Sequence, residues 1–320
     1  MNIRVRPANL PQEYGAIAAV LEAEAPGWGA SAEELAHEDA QRDPRYHHAT
    51  FVAEVVDGQE PGIVGVAQTG HEPLAHRDDK HLINLRVHPD WQGRGVGKAL
   101  YAAVLDHLAP FAPYELCADV WQAHPRTPRF LTERGFVELW QRIDSYLDVA
   151  DFDFSPYAGL ADKLREAGLE IKTYEQLGDD PKRLVKLYEL DWALWQDVPY
   201  FGQVVVKRSL AQFAADEVEH PKFLPDACFI AVKAGEYIGY SNLSEFDHGL
   251  NTEMTGVLRP ERGQGVATQL KLCGIRYAQG HGNLRLWTVN DSVNAGVIAL
   301  NQKLGFKPEG AIVRYAKIVA

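Results

Sequence analysis

The chain has 320 residues, 46% hydrophobic and 24% charged, a mixture that can bury cores and excludes a disordered or fibrous protein; its length predicts two domains. Asp plus Glu number 44 against 32 Lys plus Arg, and this net charge of −12 argues against nucleic acid as a partner. With no apolar run near the ~20 residues of a membrane span, no apolar signal core at the start, and only Cys117, Cys228 and Cys273 scattered along the chain, the expectation is a soluble protein of a reducing cytoplasm with no membrane partner.

In chain order, Asn2–Arg6 reads as an opening strand, followed by helical segments. Phe51-Val52-Ala53 and Ile63–Ala67 read as a hairpin around the turn Asp57–Gly62. Leu82, Asn84 and Arg86 alternate against Ile83, Leu85 and Val87, so a strand carrying His81 runs toward the segment Gln92–Lys98. His81 reads as a solvated histidine, with a catalytic base as the other option. In Gly93-Arg94-Gly95-Val96-Gly97-Lys98 the chain turns, and Val96, Leu100 and Val104 then fall at helical spacing. Pro125 and Pro128 shorten the next helix, because Pro128 fits only a first turn, with Thr127 as its cap. Gly135-Phe136 and a strand over Asp144–Val149 close this half.

The join falls near Asp151–Pro156, with no Gly/Ser-rich linker, so a rigid connection is expected. Leu160–Ala167 reads as a short helix stopped by Gly168, and Glu170–Tyr174 as the strand opening the second half. Trp192–Phe201 then sets four aromatics around Asp197. Phe229–Ala231 and Tyr237–Ser241 repeat the earlier hairpin with a shorter turn. A strand carrying Glu253 and Val257 enters the segment Arg262-Gly263-Gln264-Gly265-Val266-Ala267-Thr268, and Val266, Leu270, Cys273 and Tyr277 continue at helical spacing. Gly305-Phe306 lies 170 positions after Gly135-Phe136, and Arg262 lies 170 after Gln92. Two separated landmarks with one offset mark an internal duplication, 1–152 and 153–320, each copy a mixed α/β fold with a mixed sheet.

A glycine turn between a strand and a helix presents backbone N–H groups and the positive end of the helix dipole, which suits a phosphate or pyrophosphate. A Walker loop is excluded, because Gly97-Lys98 is followed by Ala99 and Gln92 stands where its first glycine would be. One such turn could be an ordinary tight connection; two with matched flanks point to a ligand.

Gln92-x-x-Gly95-x-Gly97 and Arg262-x-x-Gly265-x-Ala267 resemble the acetyl-CoA pyrophosphate loop of the GCN5-related N-acetyltransferases (GNAT). Asn294-Ala295-Gly296 through Leu304-Gly305-Phe306 resembles the family's second signature. The resemblance spans the chain as a tandem pair of the mycothiol-synthase type. It implies two GNAT folds, acetyl-CoA as cofactor and no metal, a reading to which the histidines add no HxxxH spacing. It also implies an N-acetyltransferase whose acceptor is a small primary amine, in a ternary complex. The backbone of Gly93–Lys98 and of Gly263–Thr268 would hold the pyrophosphate, Val87 or Val257 the pantetheine arm, and Asn294 would meet the cofactor.

A lysine-like amine, pKa ~10.4, must be neutral to attack, at a cost of about 4–5 kcal/mol at pH 7. The family's entering strand commonly carries the base, so Glu253 is the candidate, four residues from Val257 and expected on the same strand face; an exposed edge glutamate is the plainer reading. The family's acidic tyrosine is replaced by Leu131 and Asn301, and Tyr315 is a substitute acid. Trp195, Asp197 and Tyr200 could wall an acceptor pocket, Asp197 attracting a cation, or could be helix-end and core residues. Copy two is expected to be catalytic and copy one degraded in its second motif. The alternative is a catalytically weak acyl-CoA-binding sensor or scaffold. The sequence does not specify oligomeric state.

Overall fold

The computed structural model describes residues 3–319 apart from 57–61, 123, 125, 201–202, 247–248 and 283. The chain folds into two compact units, Met1–Trp140 with Ile312–Ala320, and Gln141–Ala311.

The first unit runs β1 (Ile3–Pro7), α1 (Tyr14–Glu24), α2 (Ala32–Gln41), β2 (Ala49–Val55), β3 (Ile63–Gly70), β4 (Lys80–Val87), α3 (Val96–Leu108), β5 (Glu115–Trp121) and α4 (Thr127–Thr132), and β6 (Val137–Leu147) follows. Ser31 starts α2 with a capping box, its hydroxyl accepting from the Glu34 amide while the Glu34 carboxylate accepts from the Ser31 amide. The strands β1 to β4 pair antiparallel in chain order, and β4 joins β5 in parallel. Most of the expected hairpin turn, 57–61, lies outside the described residues, as does Pro125. One face of the sheet packs on α3 through Val96, Leu100 and Val104; the other packs on α1 and α2 through Ile17, Val20 and Leu35. The α4 helix is short, as its proline requires, but Arg126 rather than Thr127 takes the cap position, and it caps without a side-chain hydrogen bond.

The second unit continues with α5 (Leu160–Glu166), β7 (Leu169–Thr173), α6 (Arg183–Trp195), α7 (Leu210–Phe213), a π-helical turn Ala214–Val218, β8 (Phe223–Lys233), β9 (Glu236–Phe246), β10 (Gly249–Val257), α8 (Val266–Gly280), β11 (Leu286–Asp291) and α9 (Ala295–Lys303), and β12 (Lys307–Ile318) ends the chain. Gly168, at φ +77°, stops α5 as expected. Leu243, Leu250, Val257, Leu270 and Ile275 form the core under α8, and Leu190, Leu194, Ile230 and Tyr240 the core under α6.

The closing strands are exchanged. Arg142–Leu147 of β6 pair antiparallel with β11 in the second unit, and Ile312–Ile318 of β12 pair antiparallel with β5 in the first. The folded units thus do not divide at the expected boundary of 152/153. Strand pairing is a long-range hydrogen-bond choice, and nothing in the alternation of either strand names its partner. Tyr315, the substitute acid, is consequently buried in the core of the first unit, opposite Ala118, and is absent from the second.

Candidate active site

In both units the parallel pair opens like a fork. β10 meets β11 only over Leu250–Thr252 against Leu286–Thr288, and β4 meets β5 only over Lys80–Leu82 against Glu115–Cys117. Beyond these registers the facing backbone groups have no strand partner, and buried backbone polar groups demand one. A ligand with amide groups can supply it.

At the end of each fork the glycine loop is built the same way. Gly93 and Gly95 have φ of +75° and +87°, Gly263 and Gly265 of +77° and +91°, a left-handed backbone that suits glycine. Gln92 Nε2 donates to the Val87 carbonyl (3.1 Å), and Arg262 Nε to that of Val257 (2.8 Å). These bonds tie each loop to its strand. Gly95 and Gly265 are the N-caps of α3 and α8, and neither helix start has a side-chain cap. The first amides of a 13-residue and a 15-residue helix are therefore left for a ligand, the condition under which a pyrophosphate binds. In the second unit the space beside Gly263 is open to 4 Å; in the first, an Arg126 nitrogen stands 2.5 Å from where a Cβ on Gly93 would lie.

Only the second fork carries a bulge. Between Thr252 and Thr255 the β9–β10 register slips, so Glu253 and Met254 together oppose Asn242, whose side chain accepts from the Met254 amide (3.0 Å). The bulge overturns the expectation that Glu253 shares the face of Val257. Val257 packs into the core under α8, whereas Glu253 lies with Asn251 and Ser244 on the opposite face. The Ser244 hydroxyl and the Asn251 amide (2.9 Å) both donate to Glu253 Oε1. Among the described residues, Oε2 accepts no hydrogen bond and keeps its lone pairs.

Glu253 lines a pocket with Thr252, Thr255, Thr288, Asn290 and Asn294, walled by Trp195, Val198 and Tyr200. Trp195 and Tyr200 meet edge to face, 5.5 Å between centroids. Asn294 also caps α9 through the Val297 amide (3.4 Å). Asp197 does not serve as the expected cation trap: Arg259 Nε donates to it (2.9 Å), Arg262 pairs with it too, and the Arg259 bond above all holds its carboxyl below the usual range. Asp197 thereby fastens the end of α6 to the glycine loop. Behind the wall, Arg208 binds Asp216 (3.1 Å) and Glu217 (2.9 Å), and burial pushes the Glu217 carboxyl up to about 7 against the pull of Arg208.

Among the lining residues that sequence reasoning missed are two cations. Arg142 enters with the exchanged strand β6, for which no local signal exists. Lys271 lies among Leu270, Leu272 and Ile275, and a lysine inside that apolar stripe is the signal that could have found it. Lys271 is 2% exposed, and burial pushes its amine down to about 7. Among the described residues its Nζ has no hydrogen-bond partner, and the Phe306 ring centroid stands 4.8 Å from it. Among the described residues, Thr252 Oγ1, Asn251 Oδ1 and Asn301 Oδ1 are also buried without partners, and Thr252 lines the pocket. Asn301, in place of the family's tyrosine, donates to Asn290 (2.6 Å).

The first fork is filled by its own side chains. Glu24, at the end of α1, accepts from Arg86 of β4 (3.0 Å) and pairs with His124 beyond β5 (3.1 Å), bridging the opening. Trp121, at the position matching Asp291, packs on Trp28 at 5.5 Å. His81 is fully buried, which corrects the solvated reading.

Among the described residues, no helix is long and apolar enough to cross a membrane. The sequence pattern of the Acetyltransferase (GNAT) family matches twice, over residues 17–136 and 184–306. A mycothiol acetyltransferase of Amycolatopsis mediterranei is 25% identical over 275 residues, 82% of each chain. One of Frankia casuarinae is 27% identical over 254 residues, 74% of this chain and 68% of that one. Among solved structures, a tandem GNAT protein from the clavulanic acid biosynthesis pathway superposes with a TM-score of 0.72 at 21% identity, covering 99% of this chain and 98% of its own. A GCN5-related N-acetyltransferase from Sphaerobacter thermophilus gives 0.66 at 18%, covering 99% and 95%. Two family matches on two forked strand pairs, each ending in an uncapped glycine loop, have one reading: the chain belongs to the acetyltransferase (GNAT) family as a tandem pair, and it is an N-acetyltransferase whose chemistry is acyl-CoA-dependent acetyl transfer.

Proposed function

We propose that the second unit transfers acetyl directly to a small primary amine in a ternary complex, and that the first unit is a non-catalytic scaffold. One observation carries this reading: Glu253, Lys271 and the open edge of β10 line a single pocket beyond an uncapped helix start. Acetyl-CoA, when bound, supplies an activated acetyl group. The amides of Gly263–Thr268 would hold its pyrophosphate, the unpaired edge of β10 would take its pantetheine arm, and Asn294 would meet it. Trp195 and Tyr200 wall the acceptor side. Glu253 Oε2 takes the proton from the amine nitrogen, and Lys271 Nζ returns one to the departing sulfur. No cysteine is among the lining residues, and burial raises all three thiols, to about 12 for Cys117, so no thiol is placed to form an acetyl-enzyme here. A small acceptor agrees with the relatives, which are named for mycothiol.

The test is free-thiol release from acetyl-CoA with a panel of small amines. Amine-dependent release is the expected result. Tight coenzyme A binding without release for any amine would sink the reading and leave the sensor.

Lys271 gives a second expected outcome. A neutral lysine in the fold binds fewer protons than the unfolded chain between its lowered pKa, about 7, and its usual value of 10.5. Wild-type stability therefore gains from this group as pH rises through that window, and lacks the gain at pH 7 and below. Lys271→Met should lose about 10- to 100-fold in kcat while being more stable than wild type at pH 7, by on the order of a few kcal/mol, with the difference shrinking toward pH 10. Urea unfolding at both pH values, beside steady-state kinetics, checks it. Unchanged kcat would remove Lys271 from the chemistry.

A further inference from the structure

The first unit gathers histidines from segments far apart in sequence. His47 follows α2, His71 comes directly after β3, and His81 is the second residue of β4, with separations of 24 and 10 positions that no local motif reveals. His71 is 3% exposed and His81 fully buried. One ring nitrogen from each of the three lies within 4.8 Å of the other two. Among the described residues, His47 Nδ1, His71 Nε2 and both nitrogens of His81 have no hydrogen-bond partner. Unpartnered buried nitrogens are costly, and their convergence on one point calls for a shared ligand.

We propose that His47, His71 and His81 bind a borderline-soft divalent transition metal, zinc being the ion this all-imidazole set suits best. Tetrahedral zinc at Zn–N distances of about 2.0–2.1 Å places its ligand nitrogens about 3.4 Å apart, so modest side-chain rotations close the set around an ion. The ring centroids of His47 and His71 stand 5.0 Å apart, and those of His71 and His81 4.2 Å. His71 Nδ1 lies 2.9 Å from His76 Nε2, and when His71 donates along that bond its Nε2 is left with the lone pair for a metal. His47 is held with φ +50°, a left-handed backbone that a histidine adopts only where its surroundings impose it, and its ring stacks on Phe111 at 4.4 Å. An entry path exists as well. His47 lines a cavity of about 340 Å³ with Asp39, Arg42, Asp43 and His48, and solvent from that cavity can fill the fourth coordination position.

A second grouping, His71 with His76 and Asp78, fits less well, because its two histidines already bond to each other and Asp78 is 96% exposed. The metal would tie the chain before β2 to the end of β3 and the start of β4, and so brace the first unit.

The test uses the untagged full chain stripped with chelator. Expected are one zinc per chain by elemental analysis after dialysis, a rise in melting temperature with zinc, and the intense visible absorption of tetrahedral cobalt when cobalt is added instead. His47→Ala changes the least buried ligand; it should melt like the stripped wild type and bind zinc about 100-fold more weakly. His71→Gln should do the same, and if it fails to fold, His47→Ala still decides. Wild type that retains no zinc, or His47→Ala that binds it as tightly as wild type, overturns the proposal.

Discussion

Glu253→Gln is expected to lower kcat by about 10²- to 10³-fold while leaving the KM for acetyl-CoA within a few-fold of wild type. The amide keeps the size of the side chain and can still accept from Ser244 and Asn251, so the pocket wall survives. What it loses is a group able to take the amine proton. The loss has a signature that a structural role would not produce. Without a base, only the fraction of acceptor already neutral reacts, and for an amine of pKa ~10.4 that fraction grows about tenfold per pH unit. The rate of Glu253→Gln should therefore climb steeply between pH 7 and 10, while wild type levels off above the pKa of its base. Parallel profiles would show that Glu253 is not that base. Glu217, raised to about 7 behind the wall, would then be the next carboxylate to replace.

Gly265→Glu and Gly95→Glu should part company. At φ +91°, any side chain on Gly265 strains the backbone by about 1–2 kcal/mol, and its Cβ would stand 2.9 Å from Leu160 Cδ1. A carboxylate there also opposes a diphosphate at the helix start. Acetyl-CoA affinity and turnover should fall by at least about 100-fold, roughly 2.7 kcal/mol. Gly95 has comparable strain, φ +87°, but nothing lies within 4 Å of a Cβ there. Its fork is bridged by Glu24, Arg86 and His124, so Gly95→Glu should cost stability and leave turnover near wild type. Calorimetry with coenzyme A, thiol release and thermal melts on both variants make the comparison. Turnover abolished by Gly95→Glu alone would move the chemistry to the first unit.

The local features of this protein were readable from its residues. The 170-position offset, the glycine turns before Val96 and Val266, the proline that shortens α4 and the Gly168 stop of α5 follow from backbone geometry and side-chain periodicity within a few positions. Tertiary structure alone decided the rest. Which strand β6 and β12 would pair with depends on edges distant in the chain, and that choice carries Arg142 into the pocket and Tyr315 away from it. One extra residue in β10 inverted the face of Glu253, because side chains alternate with period two and a bulge resets the count. Asp197 met two arginines that only folding brings beside it, and three histidines on separate segments converged for the same reason. Periodicity and turn chemistry act over neighbouring residues, whereas charge pairing, ligation and strand partnership depend on distances in space that the chain sets only once it is folded.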